Sequence, residues 1–561
     1  MMALTSLVGR RAALDYVRRP LNLVLLVAVP VVIVFVWGGA LADFSKVVLG
    51  GSGDRGQIEA ATAGWAAAAL AGLAGFFQVT GSRSTDRRLA AAGGHSAPVV
   101  AGRLASAFAL AVVAAAGGLV ALAARAGITD PIRAIAATVV VAVIYLSLGV
   151  LVGTIVRSEM NGALLVTLVW VFDVFFGPAL GPGSSLVVRL LPLHFPTLVL
   201  VGQTSGHAGP LGDVGWSLAW TVGLATIAAV RLAATTRPAR RPQTPHSMTG
   251  SDQATVRLMR LSNTPVPRPS TPSNAARIVA FRARRVADGT RVPTAGRLGA
   301  LLRAGMREYR RNRVLWALLV VVPAVFIGLA VMVTVDTPGP ISLVDGARHF
   351  TAFLSERRMH AATMVPVTSA FLAGITGLFV VTDSAGGDRR LVLAGYRPGE
   401  VLAGRLGVIG AATALTTSVA VAVSGTLYPP RQWVVFAGAN LLIALTYAVI
   451  GVLIGPLTGR LGGLYLILML AFVDVGLGQS VMFPNGPPAW GAFLPARGAS
   501  QVMIDGAFTN SFDQSARLVL GVAWLVALGA AADAVFHRRT AAAPQRPDHL
   551  MARQATPSVV T

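Results

Sequence analysis

The chain has no cysteine in 561 residues, which excludes disulfides and thiolate metal sites. It is nearly without lysine as well. Lys46 is the single one, and it sits in ADFSKVV with no glycine-rich turn before it, so a Walker-type phosphate loop is excluded. HExxH and GxSxG patterns are missing, and the eight histidines are scattered. The expectation is therefore a chain that is not an enzyme and that holds no metal or cofactor of its own. Charge is scarce too. Charged residues make up 12% against 54% hydrophobic, and the mean hydropathy of +0.67 is too high for a soluble globular protein of this length. Only 23 acids oppose 47 basic residues, for a net charge of +24. The arginines sit at the ends of apolar runs and in one central stretch, where positive-inside topology puts them, so no nucleic-acid partner is expected. Strand-length alternation is missing, which leaves helices and not a barrel to cross a membrane.

What is present is a series of apolar runs, each long enough to cross a hydrocarbon layer of roughly 30 Å. They read as 21–39, 60–80, 104–125, 134–156, 162–180 and 214–234, then 314–334, 359–381, 406–427, 433–455, 462–480 and 515–536. Arg10, Arg11, Arg18 and Arg19 before the first run place the N-terminus in the cytoplasm. The first run is expected to be an anchor and not a cleaved signal, because Tyr16 and Pro30 recur internally as Tyr309 and Pro323. The fold class expected is an all-α polytopic membrane protein with twelve transmembrane helices as two parallel six-helix repeats and both termini cytoplasmic. Residues 1–236 form the first half and 300–540 the second. Residues 237–299, with eight prolines, form a cytoplasmic linker, and 541–561 a cytoplasmic tail. Leu302, Met306 and Tyr309 face away from Arg303, Arg307 and Arg311, the pattern of an amphipathic helix at the inner interface, with 7–19 as its weaker counterpart. The near-exclusive use of arginine beside so much Ala, Val and Gly fits a GC-rich bacterial genome, and so a bacterial cytoplasmic membrane.

The strongest internal repeat is polar. Asp86 to Leu104 reads DRRLAAAGGHSAPVVAGRL, and 302 positions later Asp388 to Leu406 reads DRRLVLAGYRPGEVLAGRL. Asp86, Arg87, Arg88, Leu89, Gly93 and Arg103 thus match Asp388, Arg389, Arg390, Leu391, Gly395 and Arg405. The match continues into span four, where Tyr145, Gly149 and Gly153 align with Tyr447, Gly451 and Gly455. Glycines four apart lie on one helix face and permit close helix packing within a half. The segment falls between spans two and three, on the cytoplasmic side. A short helix is expected from Asp86 to Ala92 with its acid at the start, ended by Gly93 in the left-handed conformation, with Pro98 in the first turn of the next helix. Such a helix lying along the membrane suits docking into a soluble partner.

The halves share a second polar feature, an acid inside span five: Asp173 in VWVFDVFFGP and Asp474 in LAFVDVGLGQ. A carboxylate in hydrocarbon costs several kcal/mol unless it is paired or hydrated. Asp173 is expected beyond the midplane toward the outside, and the acids are expected to brace an outer gate with Arg189 or Arg497, or else to line the substrate path or relay protons. The segments that follow, 181–212 and 481–512, are broken by Pro192 and Pro196 and by Pro487, Pro488 and Pro495, and are expected to be re-entrant or interfacial.

The arrangement of an interfacial helix, a proline-interrupted first span, RRLxxAG followed by AGRL into span three, and a broken stretch before span six resembles the type-two ATP-binding-cassette exporter permeases. The resemblance covers the chain twice over. It implies that both halves of such a permease are fused here, and that 86–103 and 388–405 are coupling helices gripped by two copies of a separate nucleotide-binding ATPase subunit. ATP and magnesium would be held there, and the cargo would be drugs, antibiotics or lipids. The second segment departs in having Arg397-Pro398-Gly399-Glu400 where the first has Ser96-Ala97-Pro98-Val99. An alternative is a proton-coupled efflux carrier of the major facilitator type. That class also has two parallel six-span halves, and Asp173 and Asp474 would be its proton sites.

Overall fold

The computed structural model describes residues 20–49, 53–91, 96–180, 186–236, 294–345, 348–482 and 486–540, with a few positions between 5 and 18. Most of the expected linker, the 541–561 tail, Gly93 and most of 7–19 lie outside the described residues.

Helix dominates because a backbone without water must satisfy its own hydrogen bonds. The first run forms α1 (Pro20–Val32), a π-helical stretch (Ile33–Trp37) and α2 (Gly38–Val48). Pro30 supplies no N–H to the ladder, and the widened π-turns follow directly after it. Then come α3 (Arg55–Ala91), α4 (Ser96–Arg125), α5 (Pro131–Ile155), α6 (Glu159–Phe175), two short helices α7 (Leu186–Arg189) and α8 (His194–Val201), and α9 (Gly209–Thr236). The second half begins with α10 (Thr294–Arg311) and α11 (Arg313–Val333), followed by the strands β1 (Pro338–Asp345) and β2 (Arg348–Ser355). It continues with α12 (Glu356–Leu393), α13 (Pro398–Leu427), α14 (Trp433–Leu470), a second π-stretch (Ala471–Gly478), a 3₁₀ turn (Ala489–Phe493), α15 (Arg497–Phe508) and α16 (Ser515–Thr540).

Ten helices among the described residues are long and apolar enough to cross a bilayer, the signature of a helical polytopic membrane protein. Two of the expected span boundaries account for the difference from twelve. The run at 162–180 yields α6, only 17 residues long, because the helix ends before Gly177-Pro178. The runs at 433–455 and 462–480 are joined in α14 and the π-stretch across one non-helical residue, Gly459, at φ 73°.

The β1–β2 hairpin contradicts the expectation of a chain without strand alternation. Ile341 and Leu343 point inward from β1 and pair with Ala352 and Phe350 of β2 in antiparallel register. The expected separate helix over Asp86–Ala92 is also absent. Asp86 lies in the last turns of α3, which is 37 residues long, and Asp388 lies likewise in the 38-residue α12. At 1.5 Å per residue each rod is about 55 Å long, well beyond a layer of roughly 30 Å.

α3 packs on α5, and α12 likewise on α14. Glycine makes this possible: a Cβ on Gly149 would overlap the Gly72 carbonyl oxygen, and one on Gly451 the Gly374 carbonyl oxygen. Across the halves the packing is exchanged, with α1 against α14 and α11 against α6. The amphipathic α10 lies on α13, where Leu301 and Leu302 reach Gly404 and Gly407. Its Arg303, Arg307 and Arg311 are exposed.

Candidate functional site

At the arginine-rich end of the bundle the repeated segment forms the same clamp twice. Arg103 donates to Asp86 Oδ1 from Nε at 3.3 Å and from Nη2 at 3.0 Å, while Ser82 donates to Oδ2 at 2.8 Å. Arg405 donates to Asp388 Oδ1 at 3.1 and 2.8 Å, and Ser384 to Oδ2 at 2.7 Å. Both carboxylates are buried. A buried ion pair of this kind holds geometry: removal of one partner costs about 3–5 kcal/mol. Each clamp ties the end of one rod, α3 or α12, to the first turns of the helix that follows, α4 or α13. Arg87, Arg88, Arg389 and Arg390 point to solvent beside it, while Leu89 and Leu391 are half-buried.

The spacing works because Ser and Asp four residues apart share a helix face, and in the second half a glycine-ended turn brings the Arg of the next helix back. That turn is explicit. Gly395 adopts φ 93°, Tyr396 N–H donates to Leu391 O at 3.1 Å and Gly395 N–H to Val392 O at 3.0 Å, a Schellman closure. Pro398 opens α13, and Glu400 accepts from Arg397 N–H at 3.1 Å and pairs with Arg297 of α10 at 3.9 Å. The departure Arg397-Pro398-Gly399-Glu400 is therefore a cap joined to the amphipathic helix.

Toward the opposite end, the buried acids Asp173 and Asp474 bridge three elements each. Asp173 accepts from the Tyr145 hydroxyl of α5 and, at 3.2 Å, from the backbone N–H of Leu193 at the start of α8. Asp474 accepts from the Tyr447 hydroxyl of α14 at 3.0 Å, from Ala496 N–H at the start of α15 at 2.9 Å, and from Gln479 Nε2 at 3.0 Å. The arginine partners expected from the sequence are replaced here by tyrosine and backbone. Arg497 reaches Asp474 only through Gln479, whose Oε1 accepts from it at 3.3 Å. The proline-broken segments do form short helices, α7, α8, the 3₁₀ turn and α15, none long enough to span.

Between the halves lie residues that sequence reasoning missed. Phe77 of α3 and Phe379 of α12, equivalent positions 302 apart, stack with ring centroids 6.3 Å apart and planes within 8°. Arg460 of α14 pairs at 2.7 Å with both Glu159 of the first half and Asp383 of the second. Asn161 and Asn312 bond across the halves at 2.9 Å, and the Tyr465 hydroxyl donates to Leu70 O at 3.0 Å. The repeat match held the one available signal, since Phe77 and Phe379 sit nine residues before Asp86 and Asp388.

No family model matches the chain, and no curated protein matches it.

Proposed function

We propose that this chain is the transmembrane permease of an ATP-driven exporter in a bacterial cytoplasmic membrane, with twelve spans as two parallel halves. Two copies of a separate ATPase subunit dock at the arginine-rich end, and the cargo is a drug, antibiotic or lipid. The observation that carries this reading is the duplicated clamp. Asp86–Arg103 and Asp388–Arg405 are buried and hold the fold, which leaves the neighbouring Arg87–Arg88 and Arg389–Arg390 as two matched cationic surfaces. A docking helix lying along the membrane would need a hinge to pass force on. Here the docking residues end a continuous rod, and Phe77 lies ten residues, roughly 15 Å, up the same helix from Arg87. Movement of the partner is thus delivered directly to the contact between the halves. Asp173 and Asp474 act as braces that fix α8 and α15 to the bundle. A proton carrier would need these acids open to exchange, and each already accepts from a tyrosine and a backbone N–H.

The test is recovery of the ATPase with the full-length permease. Arg87→Glu with Arg389→Glu should cut co-purification at least about fivefold, since each reversal at a solvated rim costs roughly 1 kcal/mol, while membrane insertion stays unchanged. Full ATPase recovery with the doubly reversed protein would sink the reading.

A further inference from the structure

Beside the second acid the two halves line a half-open cavity of about 70 Å³. Trp37 and Phe44 wall it from the first half, and Met364, Phe472 and Met503 from the second. Both π-helical stretches reach it, and they touch there through Trp37 and Phe472, with ring centroids 5.3 Å apart. Widened turns of this kind recur at functional sites.

Two polar atoms in this apolar wall have no hydrogen-bond partner: His360 Nε2 and Ser500 Oγ. Their residues are 1% and 2% exposed. An orphaned buried polar atom costs about 1–3 kcal/mol, so its retention needs a reason. Thr334 Oγ1 lies 2.6 Å from Ala330 O, to which it can donate its single proton, and 2.6 Å from His360 Nδ1. The tautomer that satisfies both contacts has the ring proton on Nδ1 and a lone pair on Nε2. Ser500 can answer with either a donor or an acceptor.

We propose that this cavity binds a small aromatic or otherwise apolar molecule bearing one hydroxyl or N–H group. That group donates to His360 Nε2, and Ser500 takes up a second polar atom when the ligand has one. The role of the cavity as a cargo site rests on the permease reading, whereas the binding itself does not. Thr363 donates to Met359 O, and Gln479 is engaged with Asp474 and Gly491, which leaves His360 and Ser500 as the orphaned side chains of the wall.

Indole and benzofuran test this directly, because they have the same shape and differ in N–H against ring oxygen. Binding of each radiolabelled compound is measured on the purified full-length chain by scintillation proximity. Indole should bind about tenfold more tightly than benzofuran, the value of one well-made buried hydrogen bond. His360→Asn removes the acceptor at the ε position and should abolish the preference, whereas His360→Gln returns an acceptor there and should restore it to within about threefold. Unchanged benzofuran binding in both variants shows that the cavity is intact. Equal binding of the two compounds to the natural protein, binding of neither, or a preference that survives His360→Asn overturns the proposal and leaves water as the occupant. Loss of the ATPase interaction with the indole preference retained removes the permease reading alone. The reverse removes this site alone.

Discussion

Asp173 and Asp474 are equivalent positions with unequal support, and the difference is measurable. Removing the Asp173 carboxylate strands two buried donors, the Tyr145 hydroxyl and Leu193 N–H. Removing that of Asp474 strands mainly Ala496 N–H, because the Tyr447 hydroxyl also reaches Leu470 O at 3.0 Å and Gln479 also reaches Gly491 O at 2.9 Å. At about 1–3 kcal/mol per stranded donor, Asp173→Ala should destabilise by roughly 2 kcal/mol more than Asp474→Ala, with the Asn variants milder in both halves. Thermal unfolding in detergent reads the order, and equal losses would refute it. The acids were legible in the sequence because a carboxylate in an apolar run must be held by something. Their partners were not, since charge complementarity points to Arg189 and Arg497. The matched Tyr145 and Tyr447, nearly the same distance upstream in both halves, were the better guide.

For the helices, close approach at glycine is the feature that decides packing. Gly451→Ala would drive a methyl into the Gly374 carbonyl and force α14 from α12, whereas Gly410→Ala on α13 meets nothing within 4 Å. The first should cost several kcal/mol through overpacking. The second should be neutral or gain up to about 1 kcal/mol from helix propensity. Yield of folded, monodisperse protein separates them, and a tolerated Gly451→Ala would show that the contact is not limiting. The helical runs, the short helices before span six and the amphipathic α10 were readable from hydropathy and periodicity. The continuous α3 was not. Asp86 reads as an N-terminal residue by dipole arguments, but its ion pair to Arg103 accommodates it near a helix C-terminus instead. The hairpin was missed although Ile341, Leu343 and the dipeptide Asp345-Gly346 are a hairpin signature, because the dominance of apolar helices hid so short a segment.

In the molecule as a whole, the halves are held by exchanged helices, α1 on α14 and α11 on α6, and such contacts leave no periodic trace in either sequence stretch. The natural absence of cysteine makes the interface easy to probe. Phe77→Cys with Phe379→Cys should be joined by a short bifunctional thiol reagent in the resting protein, and, on the permease reading proposed above, ATP-bound partner subunits should lower the yield. A yield indifferent to nucleotide would mean that these helices do not separate during the cycle. Since Phe77 and Phe379 are one position seen twice, displacement counts double at that contact. Equal and opposite shifts of the two stalks open a gap equal to their sum, and a push on one stalk alone opens half of it. If partner subunits engage the two stalks as proposed, aperture becomes a graded count of how many are bound.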